Sequence, residues 1–216
     1  MSVVITVAQQ KGGSGKTMLA ANLAACLAHG KTTAILDIDP QHSLARWHAL
    51  RGRHDPTPAS VTLSDVSGWR LAGELDRLRR EHELVVVDTP PVIDNDARRA
   101  IRAADLVVIP LQPSAPDLWA AEGTLKMAAE EKRAVCVVLN RVAATGKQRQ
   151  EMEDELHSRG ITVLSAALGN RAAFSQAFAR GLGVTEAAPK TSAAKEVHAM
   201  AESLMHAIDG RAPAPK

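Results

Sequence analysis

Hydrophobic and polar positions along this chain follow two periods in turn. Short runs that are apolar at nearly every position occur at 3–8, 34–37, 84–88, 106–110, 134–139 and 162–164. Runs of strand length without polar alternation predict strands buried on both faces, as in a parallel sheet covered by helices. Between them the apolar positions recur every three to four residues. Leu19, Leu23 and Leu27 mark one face of a helix over 17–29, and Leu71, Leu75 and Leu78 mark another over 69–82. Residues 115–132, 147–159, 171–180 and 193–208 read as helices too. This alternation predicts an α/β fold, doubly wound, with a mainly parallel sheet and helices on both faces. No repeat or linker divides 1–208, so a single domain is expected, with 209–216 as a frayed, disordered tail. The stretch 51–60, rich in proline and charge, reads as a surface connection.

Composition narrows the picture. The chain has 216 residues, 45% of them hydrophobic and 23% charged, which is enough apolar surface for a sizeable core and too much for disorder. No apolar run is long enough to span a bilayer, and no secretory leader is visible. Cys26 and Cys136 stand far apart with no metal spacing, so a disulfide framework is excluded and a reducing cytoplasm is expected. The eight histidines are dispersed, which predicts surface residues rather than ligands. Trp47, Trp69 and Trp119 fall on amphipathic helices and are expected to pack against neighbours. Each of 1–110 and 111–216 carries 13 basic and 12 acidic residues, so any affinity for nucleic acid must come from local patches. Aromatic residues are only 2% and tyrosine is absent, which argues against a stacking platform for single strands.

The first strand runs into Gln9-Gln10-Lys11-Gly12-Gly13-Ser14-Gly15-Lys16-Thr17, and the helix over 17–29 follows. A glycine-rich turn between strand and helix is the setting of a phosphate loop. Glycines let successive backbone N–H groups turn inward into an anion nest, and the helix N-terminus adds its dipole. Gly12, Gly13, Ser14 and Gly15 would cradle the phosphates, with the backbone continuing through Met18. Lys16 would reach the β- and γ-phosphates, and the Thr17 hydroxyl would coordinate Mg²⁺. The general pattern asks for glycine six residues before the lysine, where this chain has Gln10. Two further carboxylate-bearing segments accompany the loop. Asp37-Ile38-Asp39-Pro40-Gln41 follows the second apolar run, and Leu84–Val87 leads into Asp88-Thr89-Pro90-Pro91. Carboxyl ends of strands are where open α/β sheets bind ligands.

The run KGGSGKT, with Lys11 ahead of two glycines, resembles the deviant Walker A loop of the ParA/MinD family of P-loop ATPases. The DxDPQ run is similar to that family's switch I, and the strand ending in Asp88-Thr89-Pro90-Pro91 to its Walker B strand and switch II. The resemblance implies ATP and Mg²⁺ as cofactors, and Lys11, Lys16 and Asp39 as catalytic residues. Lys11 would reach across a nucleotide-sandwich homodimer to the partner's phosphates. Asp39 would orient the attacking water and stand near the metal, with Thr17 and Asp88 as metal-site residues. Asn140, at the end of the strand 134–139, would contact the adenine edge. Asp37 would sit near the metal or support the loop. Plainer readings stand beside these: Asp37 as a strand-end turn former, Asp39 as a helix cap, Asn140 as a turn residue.

The stretch 168–181 is similar, more loosely, to the C-terminal region of small ParA-type partition ATPases. There Arg171, Arg180, Lys190 and Lys195 would join after dimerisation into a strip for nonspecific double-stranded DNA, or are scattered solubilising charge. The first strand begins at residue 3, so the expectation is nonspecific binding without an operator-reading domain. The implied function is a nucleoid-associated, cytoplasmic switch that positions a plasmid, chromosome region or protein cluster. A cargo-bound partner protein would stimulate hydrolysis. The alternative is a MinD-like membrane-associated positioning ATPase, which would need a C-terminal amphipathic anchor; residues 205–213 are too small and proline-broken for one, so no membrane partner is expected. A metal-cluster carrier would want paired cysteines at a dimer face, and a P-loop kinase would not need Lys11.

Overall fold

The computed structural model describes residues 2–54, 58–92, 94–143 and 147–210. Six parallel strands form one sheet in the order β3-β2-β4-β1-β5-β6: β1 Val3–Val7, β2 Thr33–Asp37, β3 Val61–Ser64, β4 Leu84–Asp88, β5 Leu106–Leu111 and β6 Val135–Leu139. The chain leaves β1, builds outward through β2 to β3, and returns to insert β4 between β2 and β1. It then crosses to β5 and β6 on the other side. The register pairs Val7 with Asp88 and Asp37 with Asp88, so the carboxyl ends of β1, β4 and β2 lie side by side.

Helices cover both faces, and the burial of successive strand residues shows why the strands lack alternation. Ile5, Val7, Ile35, Val86 and Val108 pack into one cluster with α1 (Lys16–Leu27), α2 (Ser43–Arg51), α7 (Ala172–Phe178), α8 (Val184–Ala187) and α9 (Ser192–Asp209). Their neighbours Val4, Ala34, Leu36, Val85 and Val87 face α3 (Leu71–Glu81) and α4 (Asn95–Ala103). Val107, Ile109, Val137 and Leu139 face α5 (Ala115–Glu130) and α6 (Lys147–Ser158). Apolar side chains on both faces of each central strand find a partner layer.

The structure departs from the sequence reading in several places. Residues 162–164 make one parallel bridge, Val137 with Val163, and two backbone hydrogen bonds to Val137, rather than a further strand. Strand β3 escaped notice because it is four residues long at the sheet edge, with Thr62 exposed. Helix α4 was hidden by Arg98, Arg99 and Arg102, although Ala97, Ala100 and Ile101 form its buried face and Asp94 caps it by accepting from the Ala97 N–H at 2.7 Å. Arg51, read as the start of a surface connection, ends α2 and is buried; residues 55–57 of that stretch lie outside those described. Helix α9 runs through Asp209, so the expected tail does not start there, and 211–216 lie outside the described residues. Of the three tryptophans only Trp47 packs inside; Trp69 and Trp119 are 85% and 63% exposed. Among the described residues no helix is long and apolar enough to cross a membrane.

Candidate functional site

Strand β1 delivers the chain to its carboxyl end, and Gln9–Gly15 must turn there before α1 begins. Gly13 (φ 76°) and Gly15 (φ 97°) take the left-handed conformations that let backbone N–H groups converge. A side chain at Gly15 would also run into the Asn140 amide. No acidic residue occupies the first turn of α1, so its N-terminal N–H groups face the loop unneutralised. Gln10, in the place of the usual glycine, packs its amide where a Cβ on Gly123 of α5 would stand, so a glycine lost from the loop is matched by one in the helix behind it.

The Lys16 ammonium is buried under the loop and donates to the Lys11 carbonyl at 3.2 Å. Burial lowers its pKa, against the opposing pull of the Asp88 and Asp39 carboxylates. Asp88, at the end of β4, is fully buried, and neither of its oxygens has a hydrogen bond of full geometry, although the Thr17 hydroxyl is close enough to act on it. Burial raises its pKa to about 8; the Thr17 hydroxyl and the charge of Lys16 offset this in part, while Asp37 and Asp39 add to it. The Ser14 hydroxyl beneath the loop is likewise buried without a partner. Native interiors leave few such atoms unpaired, so a carboxylate and a hydroxyl orphaned around one glycine nest fit an absent polar ligand. Thr17 and Asp88 are oxygen donors of the kind Mg²⁺ takes, few in number because that ion keeps waters and phosphate oxygens. Among the described residues no three His, Cys, Asp or Glu side chains are grouped to hold a metal on their own.

Asp37 serves the backbone. Its two oxygens accept from the Asp39 N–H at 3.1 Å and the Ala45 N–H at 2.9 Å, tying the end of β2 to the first turn of α2. Asp39 stands half-exposed beyond it, accepts from the Gln41 N–H at 2.9 Å, and does not cap α2, whose cap position is His42. Asp39 joins Lys16, Thr17 and Pro91 in lining a cavity of about 390 Å³ over the loop. On the other flank, the Thr89 hydroxyl donates to the Val7 carbonyl at 3.0 Å and fixes the start of the proline-stiffened loop.

Two of the expected site residues make contacts within the chain that the sequence did not foresee. Asn140 lines a second cavity of about 360 Å³, with Gly15, Met18, Leu168, Asn170 and Phe174 around it, and its amide makes one bond through each of its polar atoms. Nδ2 donates to the Ser14 carbonyl at 2.9 Å and Oδ1 accepts from the Arg141 N–H at 2.9 Å. Lys11 reaches back to its own chain: Nζ lies 2.5 Å from Oδ2 of Asp117, a buried carboxylate in the first turn of α5. The Ser114 hydroxyl donates to the same oxygen at 2.6 Å, and Oδ1 is left without a partner. Sequence reasoning missed Asp117, since Ser114-Ala115-Pro116-Asp117 reads as an ordinary helix start.

The four cations expected on DNA all belong to the α7–α9 layer. All four are exposed, and Arg171 is paired with Glu196 at 2.6 Å beside the second cavity. Cys26 is buried, with its thiol pushed up to about 11 by burial, and is poorly suited to thiolate chemistry.

The CobQ/CobB/MinD/ParA nucleotide binding domain family matches residues 5–184. The chain is similar to the maintenance of carboxysome distribution protein A of Gloeobacter kilaueensis, at 35% identity over 188 residues, covering 85% of this chain and 84% of that one. It is similar to protein ParA of Rhizobium radiobacter, at 32% identity, with 82% and 83% covered. Its fold is that of a Cyanothece McdA–ATP complex (TM-score 0.78, 17% identity, 94% and 96% of the two chains). It is also that of the Aquifex aeolicus MinD cell division protein (TM-score 0.79, 20% identity, both chains covered in full).

Proposed function

The chain belongs to the CobQ/CobB/MinD/ParA family of nucleotide-binding proteins, among the ParA-, Soj- and McdA-like positioning ATPases, and from that premise we propose an ATP-driven dimer switch that positions a cargo on DNA. The observation that carries the proposal is the pair of orphaned buried groups, Asp88 and Ser14, beneath a glycine nest that also holds Lys16. Gly12–Met18 would bind the triphosphate through backbone N–H groups and Lys16. Mg²⁺, held by Thr17 and Asp88, would neutralise charge on the β- and γ-oxygens. The raised pKa of Asp88 means that this carboxyl gives up a proton to act there. Asp39, at the cavity wall, would orient the water that attacks the γ-phosphorus as the bond to the bridging oxygen breaks. Asp37 contributes by holding this loop and α2 in place.

Lys11 supplies the switch. Its ammonium would leave Asp117 for the γ-phosphate in a second copy, so that triphosphate and dimer stabilise one another. Asp117 keeps the cation occupied until then. The dimer would bring Arg180, Lys190 and Lys195 of two chains together for nonspecific double-stranded DNA, with Arg171 withheld by Glu196. A partner protein on the cargo would accelerate hydrolysis and release the dimer from DNA. Salt-dependent binding to unrelated duplexes, seen with a nonhydrolysable ATP analogue and absent with ADP, is the expected result of an electrophoretic shift assay. Equal binding with both nucleotides, or protection of a single sequence, would overturn the DNA part of the proposal.

A further inference from the structure

We propose that Arg141 is a nucleotide-binding residue that holds the ribose–α-phosphate segment common to ATP and ADP; this rests on the reading of the two cavities as one nucleotide site. Arg141 follows β6 and Asn140, and it lines both the cavity over the phosphate loop and the cavity beside Leu168–Ser175. Among the described residues only Gly15 and Met18 share that double position, and they belong to the loop and the first turn of α1. A residue at the seam of a phosphate compartment and a base compartment meets the part of a nucleotide that joins the two.

The backbone is built to keep it there. Arg141 has φ 52°, a left-handed conformation uncommon for a side chain of its size. Such strain persists only where the surroundings over-determine it, and it concentrates at binding sites. Here both flanks are pinned. The Arg141 N–H donates to Asn140 Oδ1, while Nδ2 of the same amide donates to Ser14 of the loop. Immediately after it, the Val142 N–H donates to the Leu168 carbonyl and the Val142 carbonyl accepts from the Asn170 N–H, at 2.9 and 3.0 Å. The turn that presents Arg141 is thus fastened to the walls of both cavities.

Charge completes the argument. Arg171, the other arginine at the second cavity, is neutralised by Glu196. Arg141 is exposed and makes no ion pair with any described carboxylate. A planar guanidinium without a protein counter-ion, at the seam of such a site, is suited to a phosphate oxygen.

Titration of ADP and of a nonhydrolysable ATP analogue into the full chain tests this. Arg141→Gln is expected to weaken both nucleotides by about tenfold, the loss of one charge-assisted hydrogen bond, leaving their ratio unchanged. Arg141→Lys should recover part of the loss. Arg141→Gly relieves the backbone strain, so its thermal midpoint should equal or exceed that of the unaltered chain while its affinity falls as in Arg141→Gln. Unchanged affinity in Arg141→Gln, or weakening of the ATP analogue alone, would overturn the assignment. An unaltered chain that binds neither nucleotide would instead overturn the nucleotide-site reading itself.

Discussion

Asp88 is the residue whose environment says most about the site, because it is fully buried at the end of β4 with its carboxyl oxygens unpaired. Its folded pKa, about 8, lies above the ordinary carboxyl value of about 4. Between those values the folded state holds a proton that the unfolded state has lost. Stability without nucleotide therefore falls as pH rises through that window and is greatest at its acid end. The thermal midpoint of the free chain should drop between pH 5.5 and pH 8 by more than that of Asp88→Asn, in which the titrating group is gone. Parallel pH profiles for the two proteins would refute this. Asp88→Asn should also bind nucleotide without responding to Mg²⁺, which titration with and without EDTA would read. Asp88 was legible in the sequence because an apolar run ended in a carboxylate that led into Thr89-Pro90-Pro91. Asp117 was not, since a contact with Lys11 across 106 residues leaves no trace in local spacing.

Elements carry the site to the rest of the molecule. Helix α2 begins just after the Asp39 loop and ends at Arg51, whose guanidinium pairs with Glu186 of α8 at 2.5 and 2.6 Å and lies 5.3 Å from the Trp47 ring centroid. Trp47 stacks with Phe178, centroids 6.5 Å apart, and Phe178 lines the cavity over the phosphate loop. A chain of packed groups thus joins the phosphate cavity, α2 and the α7–α9 layer that holds the exposed cations. The Arg51–Glu186 pair is nearly inaccessible, at 4% and 8% side-chain exposure, so losing one partner strands a buried charge. Glu186→Ala should cost about 3 kcal/mol, a fall in thermal midpoint of roughly 10 °C. Arg51→Met with Glu186→Leu should cost less than Glu186→Ala alone, and thermal denaturation of both variants decides it. None of this link was legible beforehand. Leu44, Trp47 and Arg51 keep a helical spacing, but the apolar signal of α2 is interrupted by Arg46 and His48. Trp69 and Trp119 were misplaced for the converse reason: a helical pattern gives a residue's element and not what lies against its outer face.

At the scale of the whole molecule, a mainly parallel sheet covered on both faces by helices was legible because burial on both faces writes itself into unbroken apolar runs, whereas the strand order came only with the structure. The edges were misread in opposite directions: β3, four residues with Thr62 exposed, has little pattern to show, while 162–164 shows an apolar run but meets the sheet by a single bridge. The same topology sets the behaviour proposed for the chain. It places the phosphate loop, the Asp39 loop and the Asp88 loop at one end of the sheet, with Lys11 at their margin, half-exposed and held by Asp117. A cation so placed can serve its own chain while free and a second chain when triphosphate is bound. Sedimentation velocity with Mg²⁺ and a nonhydrolysable ATP analogue, on the unaltered chain and on Lys11→Ala, tests this most directly. The account predicts that the unaltered chain passes from its monomer mass of 22.9 kDa to twice that value, while Lys11→Ala still binds the analogue and stays monomeric. A triphosphate-loaded chain that remains monomeric, or a Lys11→Ala chain that dimerises as readily as its parent, would contradict it.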